Sequence, residues 1–483
     1  MSDDAKRAAS DAASPAPAPA PAPASASASA SAPAPAARKP LPKPIPRLGG
    51  TFLSGASGRL LPPSVPFRWF GAAIVFHALA WLALAAGAGA WAQWHGGLGW
   101  PLAALHLVTL GTLVATAIGA SMQLLPVATR QAVHWPHLIG LMWWLFVPGM
   151  LILALGMGLA RPRWLEAGAG LVIAVLLAWG VLLALNLRGA RGMPGVVLHG
   201  WGAAAGLLLL ALSAAALVAL WNGHALLGRD TLAALHLAVG VFGVMGLLAL
   251  GLSTILLPMF ALGSVPIDRL QQRAGVAALL AIALAALAAF WTAGSVVSTV
   301  WRLGAVGVAA LALAWHVRMM QATLAGGMRK ELGRAGLLTR FGWAMAALAL
   351  ALALAQVLAE AAGYAIEPLG PLFVVAAVGG WLLSFLFGML QRIVPFLAAM
   401  HAARGRKRPP TPSALTLESA LTIHYYGHLA ALALLALAIV TRSGLVLLAA
   451  ALVGLVGAIA FAVFFAVLLG RLRRAGKDAH AGA

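Results

Sequence analysis

The chain contains no cysteine. Disulfides, iron–sulfur clusters, thiolate zinc sites and cysteine nucleophiles are thereby excluded. Carboxylates are nearly as scarce, with 11 Asp and Glu in 483 residues. A carboxylate-rich metal cage is not expected, and few acids remain to couple ions inside a membrane. Tyrosine occurs only as Tyr364, Tyr425 and Tyr426. Charged residues amount to 9%, far below what the surface of a soluble globule needs.

Apolar residues instead make up 62% of the chain. A bilayer-spanning helix takes about 20 mostly apolar residues. Twelve stretches qualify: 68–91, 102–126, 138–159, 164–187, 198–220, 231–257, 274–298, 300–320, 341–363, 370–397, 419–440 and 444–470. The expected fold is an all-α polytopic membrane protein with twelve transmembrane helices in contact with the lipid bilayer. The shortest connection, between the seventh and eighth helices, is expected at Ser295–Thr299.

The formal net charge of +21 is distributed as membrane orientation requires, so it does not point to nucleic acid. With a cytoplasmic N-terminus, 27 of the 32 Lys and Arg fall on inside segments. Only Arg161, Arg163, Arg229, Arg302 and Arg442 fall outside. Both termini are therefore expected in the cytoplasm, with the protein in a bacterial-type inner membrane. Residues 1–66 read as a disordered tail, because the Pro/Ala/Ser tract Pro15–Ala36 has no apolar payload to offset ordering entropy. Residues 67–471 form the membrane domain and 472–483 a basic C-terminal tail.

An internal repeat is the most informative feature. The hexapeptide LAALHL occurs at 102–107 and 232–237, opening the second and sixth helices. Each of these helices reaches a Gly seven residues before a Pro: Gly119 and Pro126, then Gly251 and Pro258. The tenth helix ends alike, with Gly388 and Pro395. The near-constant period predicts three four-helix units with pseudo-threefold symmetry. The third unit lacks the histidine: Val375 stands where His106 would, and Phe373 where His236 would.

Thirteen histidines are the main supply of ligands and titratable groups. His106 and His236 lie about one turn into equivalent helices, and neutral imidazole suits haem iron or copper. A helical packing role is the plainer alternative for each. His424 and His428, in HYYGH, are four apart and share one helix face that can grip a metal or bracket a haem edge. His77, mid-span in the first helix, is a further candidate. His134 and His137 read as interfacial structure, and His199, His316, His401 and His480 receive no role. Gln356, Glu360 and Tyr364 share a face of the ninth helix and read as an interfacial rim.

The stretch His106–Leu–Val–Thr–Leu–Gly111, with Gly119 and Gln123–Leu–Leu–Pro126, resembles the second helix of haem–copper oxidase subunit I-like proteins. It is also similar to the NnrS family of haem- and copper-containing membrane proteins linked to nitric oxide response. Leu235–Gly240 and Leu256–Leu262 resemble a second block of the same group. The resemblance implies haem, with copper as a further cofactor, and respiratory or denitrification partner subunits. It implies His106 in the haem slot and His236 in the metal slot. The expected seventh and tenth helices carry no histidine, so the ligand set of an oxygen-reducing oxidase is missing. The function expected is thus haem binding in nitric oxide response or respiratory electron transfer. The rivals are a secondary transporter, which twelve helices with repeats also suit, and a membrane scaffold or assembly factor with degenerate sites.

The charge pattern yields a direct test. Reporter fusions should place both termini in the cytoplasm; a fusion active in the periplasm at either end would break the orientation.

Overall fold

The computed structural model describes residues 61–403 and 410–481, the last seven of these by backbone alone. The Pro/Ala/Ser tract lies outside the described residues, as does the basic segment 404–409. Among the described residues there are twelve helices long and apolar enough to cross a membrane, and no β-strand. They are α1 (Ser64–Gln93), α2 (Trp100–Ala128), α3 (Pro136–Gly158), α4 (Pro162–Arg188), α5 (Pro194–Trp221) and α6 (Arg229–Ala261). The rest are α7 (Asp268–Ala288), α8 (Val296–Ala325), α9 (Gly333–Ala361), α10 (Leu369–Ala402), α11 (Glu418–Thr441) and α12, which runs from Gly444 to Ala481. This is the architecture of a multi-pass membrane protein.

Three details differ from the sequence expectation. α7 ends at Ala288, and the turn into α8 falls before Ser295, because the Ser295 hydroxyl accepts from Ser298 N and caps α8. α1 already begins at Ser64, and α12 continues beyond 472, so both flanks of the membrane domain are helical. α10 also runs past its expected end and takes in His401 in its last turn.

α2, α6 and α10 form the centre. Of their most apolar stretches, 67%, 78% and 67% of residues are buried, against 50% or less in every other helix. Each contains a π-helical segment: Leu107–Val114, Ala238–Gly246 and Val375–Leu383. All three segments touch one another. Each ends twelve residues before the helix proline, Pro126, Pro258 or Pro395. A π turn widens the helix and re-aims the side chains around it.

The repeated glycines seat each central helix on the helix that precedes it. A Cβ at Gly119 would stand 2.9 Å from Trp69 Cβ, one at Gly251 2.8 Å from His199 Cβ, and one at Gly388 2.9 Å from Ala335 O. About two turns earlier the pattern recurs: a Cβ at Gly111 would meet Phe76, one at Gly380 would meet Met345, and one at Gly206 of α5 would meet Gly243. Close approach through small residues is how helices associate where no hydrophobic drive exists between them.

α3 and α4 pack by the same means. A Cβ at Gly168 would lie 2.3 Å from Leu153 N, a backbone atom that cannot swing aside, whereas at Gly170 it would meet nothing within 4 Å. Gly168→Ala should therefore destabilise the detergent-purified protein by about 1–3 kcal/mol. Gly170→Ala should leave thermal unfolding unchanged or slightly raised. Equal melting temperatures for the two variants would contradict this interface.

Candidate functional site: three groups of histidines

The structure gathers seven of the thirteen histidines into three groups within the helix bundle. The first lies at the end carrying the loops 94–99 and 222–228. His106 of α2 immediately precedes one π segment and His236 of α6 stands two residues before another. Their ring centroids lie 6.2 Å apart, with planes 30° from parallel. Both are half-buried.

Hydrogen bonds fix the ring tautomers. His106 Nδ1 lies 3.0 Å from Leu102 O. A carbonyl only accepts, so Nδ1 carries the proton and Nε2 keeps its lone pair. His236 Nδ1 lies 3.2 Å from Ser213 Oγ of α5, and that hydroxyl donates to Leu210 O. The hydroxyl therefore accepts from Nδ1, again leaving Nε2 with its lone pair. This is the arrangement of a ligating histidine, in which a fixed oxygen orients the non-ligating nitrogen.

The second group brings together the other three sequence candidates. His77 of α1 and His424 of α11 have ring centroids 6.3 Å apart; those of His424 and His428 are 5.8 Å apart and 20° from parallel. All three side chains are buried. Phe387 of α10 packs among them, 4.7, 4.5 and 5.9 Å from the three rings, and Phe461 of α12 covers His424 at 4.8 Å. Close contact of Gly427 with Gly457 draws α11 onto α12, where His424 Nδ1 donates to Gly457 O at 3.1 Å. His428 Nε2 donates to Ser384 Oγ at 2.8 Å, since that hydroxyl gives its own proton to Gly379 O. His424 Nε2 and His428 Nδ1 are left buried without a partner. His77 differs: its Nε2 accepts from Trp81 Nε1 at 3.1 Å, so its lone pair is already used.

The third group, near the opposite end, escaped the sequence. His199 of α5 is clasped between Gly251 of α6 and Gly275 of α7, its Nδ1 donates to Gly195 O at 2.8 Å, and its Nε2 has no partner. His316 of α8 donates from Nε2 to Ser253 Oγ at 3.1 Å. The signal was present in Gly251 and Gly275, but one sequence does not say which neighbour a glycine makes room for.

The rim expected on α9 is partly there. Glu360 pairs with Arg302 of α8 and accepts from Gln356 Nε2 at 2.9 Å, while Tyr364 stands exposed and apart. Arg392 of α10 bonds Leu332 O. Among the described residues, no group of three or more His, Asp or Glu is arranged to hold a metal ion. Compared with known proteins, the chain matches no family model and no curated protein.

These burial differences set an order of chemical reactivity. In folded, haem-free protein, diethylpyrocarbonate should acylate His106 and His236, whose side chains are half-buried and whose Nε2 atoms carry the lone pair. It should spare His424 and His428. Peptide mass spectrometry showing equal labelling of both groups would mean that the second is open to water.

Proposed function

We propose that the protein is a haem-binding integral membrane protein of respiratory or nitric oxide-linked electron transfer, in which His106 and His236 would hold the haem. The observation that carries this reading is the adjacent imidazole pair, with both Nδ1 atoms engaged by oxygens. Two imidazoles on opposite sides of one metal ion, each about 2 Å from it, place their ring centres roughly 6 Å apart. The 6.2 Å separation fits that spacing. The donor set also fits iron: two neutral nitrogens, with no thiolate and no acid.

A haem bound there would supply a one-electron couple, the chemistry that electron transfer needs. The chain's own part is orientation. Leu102 O and Ser213 Oγ hold the rings in the ligating tautomer, and the π segments set the faces of α2 and α6 that present them. The missing histidines on α7 and in the body of α10 leave no copper site of the oxidase kind. The reading retains three four-helix units, both termini cytoplasmic, in a bacterial-type inner membrane. The recurrence of π segment, glycine pair and proline in α2, α6 and α10 supports the threefold plan.

Protein expressed with ample haem should be coloured, with a Soret band and a pyridine haemochrome. His106→Ala and His236→Ala should each deplete haem while eluting from gel filtration as the parent does. Wild-type haem content in both variants, or a colourless parent, would remove the assignment.

A further inference from the structure

Arg68 lies near the start of α1, half-buried and well away from the histidines. Its Nε donates to Ser64 O at 3.2 Å, and its guanidinium carbon stands 5.8 Å from the centre of the Trp143 ring of α3. Trp143 Nε1 donates in turn to Arg68 O at 3.1 Å, so the indole and the arginine hold each other in place. A guanidinium over an indole face still has its terminal N–H groups to give. Neither ion pair among the described residues includes Arg68. Neither α1 nor α3 carries an acid in its first turn. A fixed cation at the end of a membrane helix thus has no anion from these helices.

An apolar groove of about 490 Å³ runs from this cation between α1, α3 and α12. Arg68, Ala72, Val75 and Leu79 line it at steps of four, three and four residues, which is one face of α1. Trp143 and Leu151 of α3, two turns apart, line it as well, as does Phe465 of α12. From Arg68 to Leu79 the helix rises about 16 Å, half of a hydrocarbon core roughly 30 Å thick. The groove is therefore one leaflet deep, cationic at one end and apolar along the rest. A free phosphate would leave the apolar length unfilled. A zwitterionic lipid would bring an ammonium with no carboxylate to meet it. A phospholipid with net negative charge satisfies both ends.

We propose that Arg68, Trp143 and the groove between α1, α3 and α12 form a binding site for one anionic phospholipid. The terminal nitrogens of Arg68 take the phosphate, which the planar guanidinium fork matches with paired hydrogen bonds. One acyl chain lies along Ala72, Val75 and Leu79. Trp143 is a positioning residue that holds the guanidinium at the mouth. The site does not depend on the haem assignment.

The test uses the full chain, stripped of lipid in detergent and studied by native mass spectrometry. Phosphatidylglycerol and phosphatidylcholine with the same acyl chains are the probes. The parent should hold one phosphatidylglycerol, and Arg68→Gln should weaken that binding by about 10–100-fold, the worth of charge-assisted hydrogen bonds. The same variant should lose the preference over phosphatidylcholine. Ala72→Phe, which fills the groove at a half-buried position, should displace both lipids. Inorganic phosphate should compete with neither. If a variant fails to elute as a single species, the parent decides: rising ammonium acetate should erode its preference for the anionic lipid. Four outcomes overturn the proposal: equal binding of the two lipids by the parent, unchanged phosphatidylglycerol binding in a folded Arg68→Gln or Ala72→Phe protein, displacement by inorganic phosphate, or a preference indifferent to salt.

Discussion

Six of the seven grouped imidazoles have one ring nitrogen tied to a fixed oxygen, and the histidine chemistry of this protein follows from that constraint. Leaving a polar group unpaired there costs several kcal/mol. The chain meets the cost in two ways. His106, His199 and His424 donate to helix carbonyls. His236, His316 and His428 donate to a serine hydroxyl, from Ser213, Ser253 and Ser384 respectively. In each serine pair the hydroxyl spends its own proton on its helix backbone. In these six the donor nitrogen is satisfied, and a basic nitrogen is left over. A chain short of acids and free of thiols presents neutral imidazole nitrogens this way.

Those donors meet because the three central helices are packed by glycine and widened by π turns. Gly111, Gly243 and Gly380 bring α1, α5 and α9 close to the π segments, and the segments touch one another. Position in the repeat then decides what each unit contributes. His199, Trp69 and Leu338 face the equivalent glycines Gly251, Gly119 and Gly388, so one register holds an imidazole, an indole and an aliphatic side chain. The scaffold recurs while the chemistry carried on it differs from unit to unit.

Much of the fold was legible in the sequence. Twelve apolar runs give twelve helices, since hydrophobic length alone decides which segments span. The α7–α8 turn was expected over Ser295–Thr299, whereas Ser295 is the residue that caps α8 and the turn precedes it. The five candidate ligands were also legible by type, and the structure gathers them into one pair and one trio. The division between them was not, because it rests on contacts between remote helices such as His77 with His424. Nor could the sequence separate His77 from its neighbours, since that depends on Trp81 occupying its acceptor nitrogen. The π segments leave no mark in hydrophobic periodicity. His199 and His316 passed unnoticed because their partners Gly275 and Ser253 read as ordinary helix residues.

The central claim is that the π-flanked imidazoles of α2 and α6 share one iron. Near-infrared magnetic circular dichroism of the oxidised, purified protein tests it most directly, because the charge-transfer band of a ferric haem reports both axial ligands. The account predicts the low-spin band of a bis-imidazole haem. A high-spin spectrum from an iron with a single histidine, or a band from any other ligand pair, would contradict it.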